Sequence, residues 1–229
     1  PDVSEVRLAD INVGQLPPFL APYNDPANVG AGRPRLIPTP FDARDEAAAR
    51  AVIREADAAM SALPYYFNLD MARYAAEEGT HFADLGGNTE IVFQQKALDA
   101  RAKASGASIV PDCGLAPGMV NILAQHGIEL LEQDGARVAS VRIFVGGLPQ
   151  HPEPPLNYQI VYSLEGVLDY YTTLSWVVRD GKRAQVKALS ERERVDFADV
   201  GELEAFHTAG GLSTMAFRYE GKIPTMEYK

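Results

Sequence analysis

The sequence predicts an α/β fold in two parts, with a parallel sheet over residues 1–135 and an α+β region with a largely antiparallel sheet over 136–229. Two observations predict this division. Through about residue 135, short apolar runs alternate with amphipathic stretches, as they do in a parallel sheet with crossover helices. After Gly135, apolar and polar residues alternate in the manner of antiparallel strands.

Five apolar runs in the first part are predicted strands, at residues 6–10, 35–37, 58–63, 81–85 and 107–111. Four amphipathic stretches are predicted helices, at residues 45–56, 68–78, 88–105 and 117–132. Gly79 and Gly106 suit helix C-termini, Asn88 suits an N-cap, and Pro117 suits a first turn. The Pro-, Gly- and Asn-rich stretch 14–34 is predicted to be a long loop.

The second part contains four predicted strands, at residues 138–144, 158–162, 186–197 and 216–219. A final strand is predicted to run directly into the last residues, Tyr228 and Lys229. Because domains rarely stop within a strand, we expect this chain to be cut short.

Composition excludes several classes of function. The formal charge of -10 and the pI of about 4.9 argue against binding to nucleic acid and to an anionic membrane. No apolar run approaches the ~20 residues that cross a bilayer, and the first residues do not resemble a signal peptide. Cys113 is the single cysteine, so an internal disulfide is impossible and a cytoplasmic location is predicted.

Polar and glycine residues cluster at four predicted strand ends, where an open parallel sheet binds its ligands. These ends are Asp10, residues 61–64, residues 84–87 and residues 112–114. In dinucleotide-binding sheets, an acid placed like Asp10 accepts hydrogen bonds from the adenosine ribose and repels a 2′-phosphate. We therefore expect a Rossmann-like site with NAD preferred and NADP the less favoured cofactor, although Asp10 could instead cap a turn.

The glycine-rich turn that normally precedes such an acid by about 20 residues is missing, since the chain starts nine residues before Asp10. Gly30-Ala31-Gly32 does not replace it, because a proline and a strand follow where a helix should open. Within these residues the Rossmann-like sheet is predicted to lack its first strand and its phosphate cradle. Either a longer protein supplies them, or the chain is a fragment, and a genuine fragment is expected to bind dinucleotide poorly.

Three ordered motifs resemble the saccharopine dehydrogenase family. Residues 112–119 read Asp-Cys-Gly-Leu-Ala-Pro-Gly-Met, similar to the family's C-G-L-x-P-G signature. Residues 146–149 with 155–158 resemble its G-G-L-P and P-L-x-Y element. Residues 204–214 resemble an element of its lysine 6-dehydrogenase-like branch.

The resemblance implies a two-domain dehydrogenase that oxidises a carbon bearing an amine and passes hydride to NAD or NADP, leaving an imine that water hydrolyses. It also implies a homodimer or larger homo-oligomer. By position, it assigns the following residues to the cofactor: Asp10, Leu63, Pro64, Asp84, Leu85, Gly86, Cys113, Gly114, Pro117, Gly118 and Met119.

A general base must take a proton from the substrate ammonium before hydride leaves, and the candidates are Asp112, Glu204 and His207. The alternatives are that Asp112 caps a helix, Glu204 anchors the substrate amine, and His207 packs at a sheet edge. Predicted contacts to the amino-acid substrate are Asn157, Tyr158, Thr208, Ser213 and Thr214. The remaining histidines are scattered and no H-E-x-x-H or paired C-x-x-C pattern occurs, so no metal is predicted.

The leading hypothesis is an amino-acid dehydrogenase of the lysine or saccharopine type. A carboxynorspermidine-type reductase that condenses an amine with an aldehyde is a second possibility. The third is a degenerate dinucleotide-binding protein without catalysis. The enzyme hypotheses require the 112–119 turn to lie close to both Asp84 and the 204–214 stretch.

Overall fold

Two parallel sheets form the first part of the computed structural model, which describes residues 3–25, 34–155, 157–159 and 164–229. Strand β1 (Glu5–Asp10) pairs with β2 (Arg35–Pro40). Strands β3 (Ala58–Ser61), β4 (His81–Asp84) and β5 (Ile109–Val110) form the second sheet, in that order. Ser61 lies opposite Asp84, so the carboxyl ends of β3 and β4 are level. The predicted α/β class and the parallel pairing are confirmed.

Six helices accompany these strands: α1 (Leu16–Asn24), α2 (Glu46–Arg54), α3 (Asn68–Glu78), α4 (Thr89–Lys96), α5 (Asp99–Ser105) and α6 (Met119–Gln133). Their ends follow local chemistry. The Asp45 carboxylate accepts a hydrogen bond from the Ala48 N–H, and the Asn88 side chain caps α4 in the same way. Gly79 ends α3 in the left-handed conformation, with φ of 80°.

The prediction of a loop over 14–34 is wrong in its first half, because α1 occupies Leu16–Asn24. Pro17 and Pro18 lie in its first turn, where backbone N–H groups have no partner within the helix. The Asn24 side chain then bonds both backbone groups of Leu36, which ties the helix to β2. Gly30-Ala31-Gly32 lies outside the described residues.

The predicted single helix over 88–105 is two helices, α4 and α5. Between them the Leu98 N–H bonds the Gln95 carbonyl, three residues back, which tightens the last turn of α4. Leu98 packs against the apolar cluster formed by α2 and α3. Tertiary packing of this leucine thus accompanies a break that the local sequence does not signal.

The second part contains a four-stranded sheet in the order β6 (Ser140–Ile143), β11 (Thr225–Tyr228), β7 (Leu174–Arg179) and β8 (Lys182–Lys187). Strands β6 and β11 are parallel, and the other neighbours are antiparallel. A separate antiparallel pair is formed by β9 (Glu193–Phe197) and β10 (Gly201–Ala205). Helices α7 (Leu164–Thr172) and α8 (Met215–Arg218) complete the described elements.

Three strand predictions in the second part need correction. The run 186–197 is divided between β8 and β9, with a turn between them. Residues 216–219 are helical or follow a helix, because α8 turns Met215 and Ala216 together into the core. Tyr158 lies outside any strand, and residues 160–162 of that predicted strand lie outside the described residues.

Two apolar clusters hold the fold together. The first joins α2 and α3 to Phe82 of β4. The second joins α6, α8 and one face of the four-stranded sheet, and it includes Leu212 and Met215. Burial of these two side chains anchors the preceding 207–214 segment beside the ends of the parallel strands. Within the described residues, no helix has the length and apolar character needed to cross a membrane.

Candidate active site

Three segments meet at the carboxyl ends of the parallel strands: residues 84–87, 112–118 and 207–214. The Asp112 N–H donates to Asp84 Oδ1 at 3.2 Å, and the Cys113 N–H donates to the Asp84 carbonyl at 2.7 Å. From the other side, the Ser213 hydroxyl donates to Asp112 Oδ2. The proximity that the enzyme hypotheses require is therefore present.

Glycines allow these segments to pack so closely. A Cβ at Gly86, whose φ is 78°, would overlap Asp112 Oδ1. A Cβ at Gly114 would lie 2.5 Å from the Leu85 carbonyl oxygen, and one at Gly118 would overlap the Gly114 carbonyl. The space beside these glycines is thus filled by neighbouring loops of the same chain.

The 112–118 turn ends before the helix that was predicted to begin at Pro117. Pro117 is buried and follows a cis peptide bond, and Gly118 has a φ of 138°, so α6 begins at Met119. The Gly118 N–H donates to Asn121 Oδ1 at 2.7 Å. This bond caps α6 and closes the turn that carries Asp112.

Asp112 is the carboxyl group at the centre of the site. Burial raises its pKa, the hydrogen bond from Ser213 lowers it, and the nearby Asp84 raises it, with a resulting pKa of about 6. Asp112 Oδ1 is buried, and no residue in the described part of the chain hydrogen-bonds it. Its backbone is in the left-handed region, with φ of 60°. A carboxyl group with a pKa this close to neutrality can exchange a proton with a substrate.

An open cavity of about 440 Å³ lies beside Asp112. Its lining includes Cys113, Met119, Ser213 and Thr214, all of which were predicted site residues, together with apolar side chains of α6. Burial, with Asp84 and Asp112 nearby, raises the pKa of the Cys113 thiol. Cys113 is therefore protonated near neutral pH and poorly suited to act as a nucleophile.

Asn121 is a site-building residue that the sequence reasoning missed. Its Nδ2 donates to the carbonyls of Gly211 and Leu212, at 3.0 and 3.2 Å. The side chain therefore joins α6 to the segment that carries Ser213. A polar residue in the first turn of a predicted helix was the available signal, but its distant partners could not be read from the sequence.

Helix α7, which the sequence analysis did not predict, contacts the crevice from a third side. The Tyr65 hydroxyl donates to Asp169, and this hydrogen bond, with burial, raises the pKa of Tyr65 to about 12. A Cβ at Gly210 would lie 3.4 Å from the Tyr170 ring and 3.6 Å from the Gly87 carbonyl. Tyr170, Gly210 and Gly87 thus pack together.

The other two candidate bases have different surroundings. His207 is fully buried, with Nδ1 3.0 Å from the Tyr228 carbonyl and Nε2 3.1 Å from the Glu191 carboxylate. Glu204 lies on β10 with 58% of its side chain exposed, 3.5 Å from Arg192. Although His207 begins the 207–214 segment, the side chains of His207 and Glu204 contact the second part of the chain and not Asp112, so the site proposed below does not include these two side chains.

The remaining predicted substrate contacts lie outside the Asp112 cluster. Thr208 lies near the Tyr228 hydroxyl and acts to lower its pKa, although burial raises that pKa to about 12. Asn157 is exposed with φ of 52°, and Tyr158 lies near Tyr171 of α7. Leu156 of the same predicted motif lies outside the described residues. The substrate roles of Asn157, Tyr158 and Thr208 stay predictions.

The predicted cofactor contacts at the strand ends differ in accessibility. Leu85 is 41% exposed, whereas Leu63 is half-buried and packs on the first apolar cluster. Pro64 is half-buried at the start of a 3₁₀ turn. Asp10 accepts a hydrogen bond from the Asn12 N–H at 2.6 Å, which is the turn-capping alternative considered for it.

Glu191, His207 and Glu227 form a group whose ligand atoms lie within 4.8 Å of one another, as in a metal site. The Arg179 guanidinium lies among them, 2.7 Å from each carboxylate and 3.4 Å from His207 Nε2. Arg179 therefore already supplies the positive charge that this group of ligands attracts. That no metal is required stays a prediction.

Comparison with known proteins identifies the family. Residues 22–110 match the family model for the saccharopine dehydrogenase NADP binding domain, and residues 114–229 match that for the saccharopine dehydrogenase C-terminal domain. A saccharopine dehydrogenase [NADP(+), L-glutamate-forming] from Pyricularia oryzae is 27% identical over 160 residues, which are 69% of this chain and 35% of the relative. A mitochondrial alpha-aminoadipic semialdehyde synthase from Mus musculus is 26% identical over 167 residues, 72% of this chain and 16% of the relative.

Among solved structures, apo saccharopine dehydrogenase (L-Glu forming) from Saccharomyces cerevisiae matches with a TM-score of 0.72 and 18% identity. The match covers 98% of this chain and 49% of the yeast chain. At this identity, the likeness supports the fold alone. The chain spans about a third of the length of the fungal relatives that it matches in sequence.

The predicted preference for NAD over NADP is wrong. The matching model describes an NADP binding domain, and relatives from three fungi are named as NADP(+) enzymes. The prediction rested on the position of Asp10 alone, and the structure engages that carboxylate in a local turn.

Both matching family models describe saccharopine dehydrogenase domains, and the model for residues 114–229 alone covers half of the chain. The chain belongs to the saccharopine dehydrogenase family.

Proposed function

We propose that this protein is an NADP-dependent oxidoreductase that acts on the CH–NH group of an amino acid of the saccharopine type. The observation that carries the proposal is Asp112, a partly buried carboxyl with a pKa of about 6 at the junction of the parallel strand ends and the 207–214 segment. The relatives named as NADP(+)-linked, L-glutamate-forming saccharopine dehydrogenases support the cofactor and the substrate class.

The strand ends offer a suitable surface for the nicotinamide half of the cofactor. Leu63 and Pro64 follow β3, and the exposed Leu85 follows β4, at the level edge of the parallel sheet. Apolar side chains at this edge can contact one face of a flat ring and exclude water from it. When bound, the cofactor supplies an acceptor for hydride in one direction and a donor in the other.

Asp112 acts as the proton acceptor. Its carboxylate takes a proton from the substrate ammonium, so that the nitrogen lone pair can form a C=N bond as hydride leaves the neighbouring carbon. Carbon loses two electrons with the hydride, and nitrogen loses the proton to Asp112. Water then adds to the C=N bond and releases an amine and a carbonyl compound. Ser213 holds Oδ2 of Asp112 in place during the proton transfer.

The cavity beside Asp112 receives part of the substrate. Thr214 lines this cavity, and its hydroxyl is a suitable donor to a substrate carboxylate. We assign Ser213 to Asp112 instead of the substrate, because its hydroxyl proton already bonds that carboxylate. The apolar lining from Met119 and neighbouring α6 residues suits an aliphatic chain.

Calorimetric titration and a coupled assay with the full-length protein test the proposal. We expect NADP to bind more tightly than NAD, and saccharopine to reduce NADP faster than lysine does. Failure of both nucleotides to bind would refute the proposal. Turnover of carboxynorspermidine but not of saccharopine would replace the substrate class with that of the amine–aldehyde reductases.

A homodimer or larger assembly and a cytoplasmic location are further proposals, based on the family and on the single cysteine. Light scattering on the purified protein tests the first. A monomer at micromolar concentration would contradict it.

A further inference from the structure

Asp84 is a fully buried carboxylate at the carboxyl end of β4, with 0% of its surface exposed. Its Oδ1 accepts hydrogen bonds from the N–H groups of Gly86, at 2.7 Å, and Asp112, at 3.2 Å. Its backbone carbonyl accepts from Cys113. One residue thus fixes both of the loops that meet at the proposed proton acceptor.

The other oxygen of Asp84 is held from the opposite side. Its Oδ2 accepts a hydrogen bond from Gln95 Nε2 at 2.6 Å. Gln95 is 2% exposed and also donates to the Asn68 carbonyl, while the Ser61 hydroxyl donates to Asn68 Oδ1 at 2.9 Å. Buried polar side chains therefore connect the ends of β3 and β4 to α3 and α4.

We propose that Asp84 is a positioning residue, which orders the turn that carries Asp112 and sets a fixed negative charge beside it. This role replaces the predicted contact between Asp84 and the cofactor, because a carboxylate without exposed surface cannot touch a ligand. The functional meaning of the role rests on the proposed use of Asp112 as a proton acceptor. The geometry does not depend on that use.

Asp84 is the charged group among the described residues that face Asp112. Ser213 is neutral, and burial raises the pKa of both the Cys113 thiol and the Tyr170 phenol, so both are protonated near neutral pH. A negative charge at Asp84 disfavours ionisation of Asp112 and raises its pKa. Asp84 therefore affects both the position and the basicity of Asp112.

Two substitutions separate charge from position. Asp84→Asn removes the charge, and its Oδ1 can still accept from Gly86 and Asp112. Its Nδ2 can donate to Gln95 Oε1 only if the Gln95 amide rotates, and that rotation gives up the Gln95 bond to the Asn68 carbonyl. Asp84→Ala removes both. The control Asp99→Asn changes an exposed carboxylate on α5 that pairs with Lys103.

The measurement is carbon-13 NMR titration of the Asp112 carboxyl in the full chain, with Asp112→Asn used to assign the resonance. We expect Asp84→Asn to lower the pKa of Asp112 by about one unit, as loss of a nearby like charge does. Asp84→Ala should also raise amide exchange at Gly86 and Asp112 about tenfold, from the lost hydrogen bonds. Asp99→Asn should change neither.

An unchanged pKa of Asp112 in folded Asp84→Asn protein would overturn the proposal, even if Asp84→Ala fails to fold. The titration needs no activity, so it is independent of the proposed function. A shifted pKa in a protein that never reduces NADP would support the positioning role and refute the dehydrogenase. An enzyme that reduces NADP but shows no pKa shift would support the dehydrogenase and refute the positioning role of Asp84.

Discussion

Two carboxylates shielded from solvent, the partly buried Asp112 and the buried Glu227, have opposite surroundings. Asp112 receives a hydrogen bond from Ser213, leaves one oxygen without a partner and lies beside the negative Asp84. Glu227 is 7% exposed on β11 and pairs with Arg142 and Arg179, each at 2.7 Å. Among the residues that the structure describes, no positive side chain pairs with Asp112, whereas two pair with Glu227.

This difference sets the direction of each pKa. Burial raises the pKa of Asp112 to about 6. Burial also acts to raise the pKa of Glu227, but hydrogen bonds from Arg142 and Arg179 outweigh it and hold the pKa below its ordinary value. Asp112 is thus able to exchange a proton near neutral pH, whereas Glu227 stays ionised as part of the sheet. Burial alone does not distinguish a reactive carboxylate from a structural one, but the sign of the charge on the neighbouring side chains does.

The Asp112→Asn substitution tests the reactive side of the comparison and has the largest expected effect. An amide cannot accept the substrate proton, so we expect kcat to fall about 10²- to 10⁴-fold, the usual contribution of a positioned acid or base. Steady-state kinetics above pH 7 measures this, and calorimetry should show NADP binding within a few-fold of the original. A kcat within threefold of the original would remove Asp112 from the chemistry.

The same variant has a predicted stability effect of opposite sign. The folded state raises the pKa of Asp112 from 3.8 to about 6, so above pH 6 the folded protein must hold a buried charge that the unfolded chain exposes to water. That shift corresponds to at most about 3 kcal/mol, and we expect about 1–2 because the group is only partly buried. Asp112→Asn should therefore stabilise the protein at pH 8, with a gain that disappears below pH 4 in denaturant melts.

Glu227→Gln tests the structural side. Because it removes the charge of the buried Glu227 while its partners Arg142 and Arg179 keep 43% and 30% of their side chains exposed, we expect a loss of about 1–2 kcal/mol in unfolding free energy at pH 7. The lowered pKa of Glu227 means that its contribution is present above the unfolded value near 4.5 and is lost as pH falls further. Urea melts from pH 3 to pH 8 measure both.

An exposed carboxylate, Glu220, provides the control for the Glu227→Gln substitution. Glu220→Gln changes an exposed carboxylate that pairs with Arg183, and it should cost much less at every pH. Equal losses in the two variants would show that burial and double pairing add nothing at Glu227.

Ser213→Ala removes the one hydrogen bond that favours ionised Asp112. We expect the pKa of Asp112 to rise by about one further unit, since a bond to a charged group contributes about that much. Activity should fall several-fold at pH 6 and recover toward pH 9, where Asp112 is ionised in both proteins. Ser105→Ala is a matched control, because the Ser105 hydroxyl donates to the Ala102 carbonyl at the end of α5. This substitution should leave the pH profile of activity unchanged. An identical profile for Ser213→Ala would show that the bond does not act on Asp112.

The fold was predictable where local patterns decide it. Alternating apolar runs located the parallel strands. Asn88 caps the start of α4 and Gly79 caps the end of α3, as expected. The errors occurred where distant contacts decide the outcome. Leu98 packs on another element and breaks a helix, and α8 follows burial in the second core instead of its strand-like sequence.

The site divides in the same way. Family motifs pointed to Asp112 and Ser213, because signature residues share a short stretch of sequence. The Asn121 amide bonds carbonyls 90 and 91 residues away, Tyr170 packs against Gly210 and Gly87, and Gln95 bonds Asp84 from α4. No single stretch of sequence encodes these contacts. Asp10 shows the converse: its position matched the pattern for NAD, but the carboxylate bonds its own turn.

Glu204→Gln has the smallest expected effect and tests where the boundary of the site lies. The side chain is 58% exposed and pairs weakly with Arg192, a contact typical of a solvated hairpin. We expect kcat within twofold of the original and a stability change below about 0.5 kcal/mol, measured by the same assay and denaturant melt. A loss approaching that of Asp112→Asn would mean that β10 moves onto the substrate during turnover. Glu204 would then belong with Asp112 among the reactive carboxylates and not with the structural carboxylates of the second part.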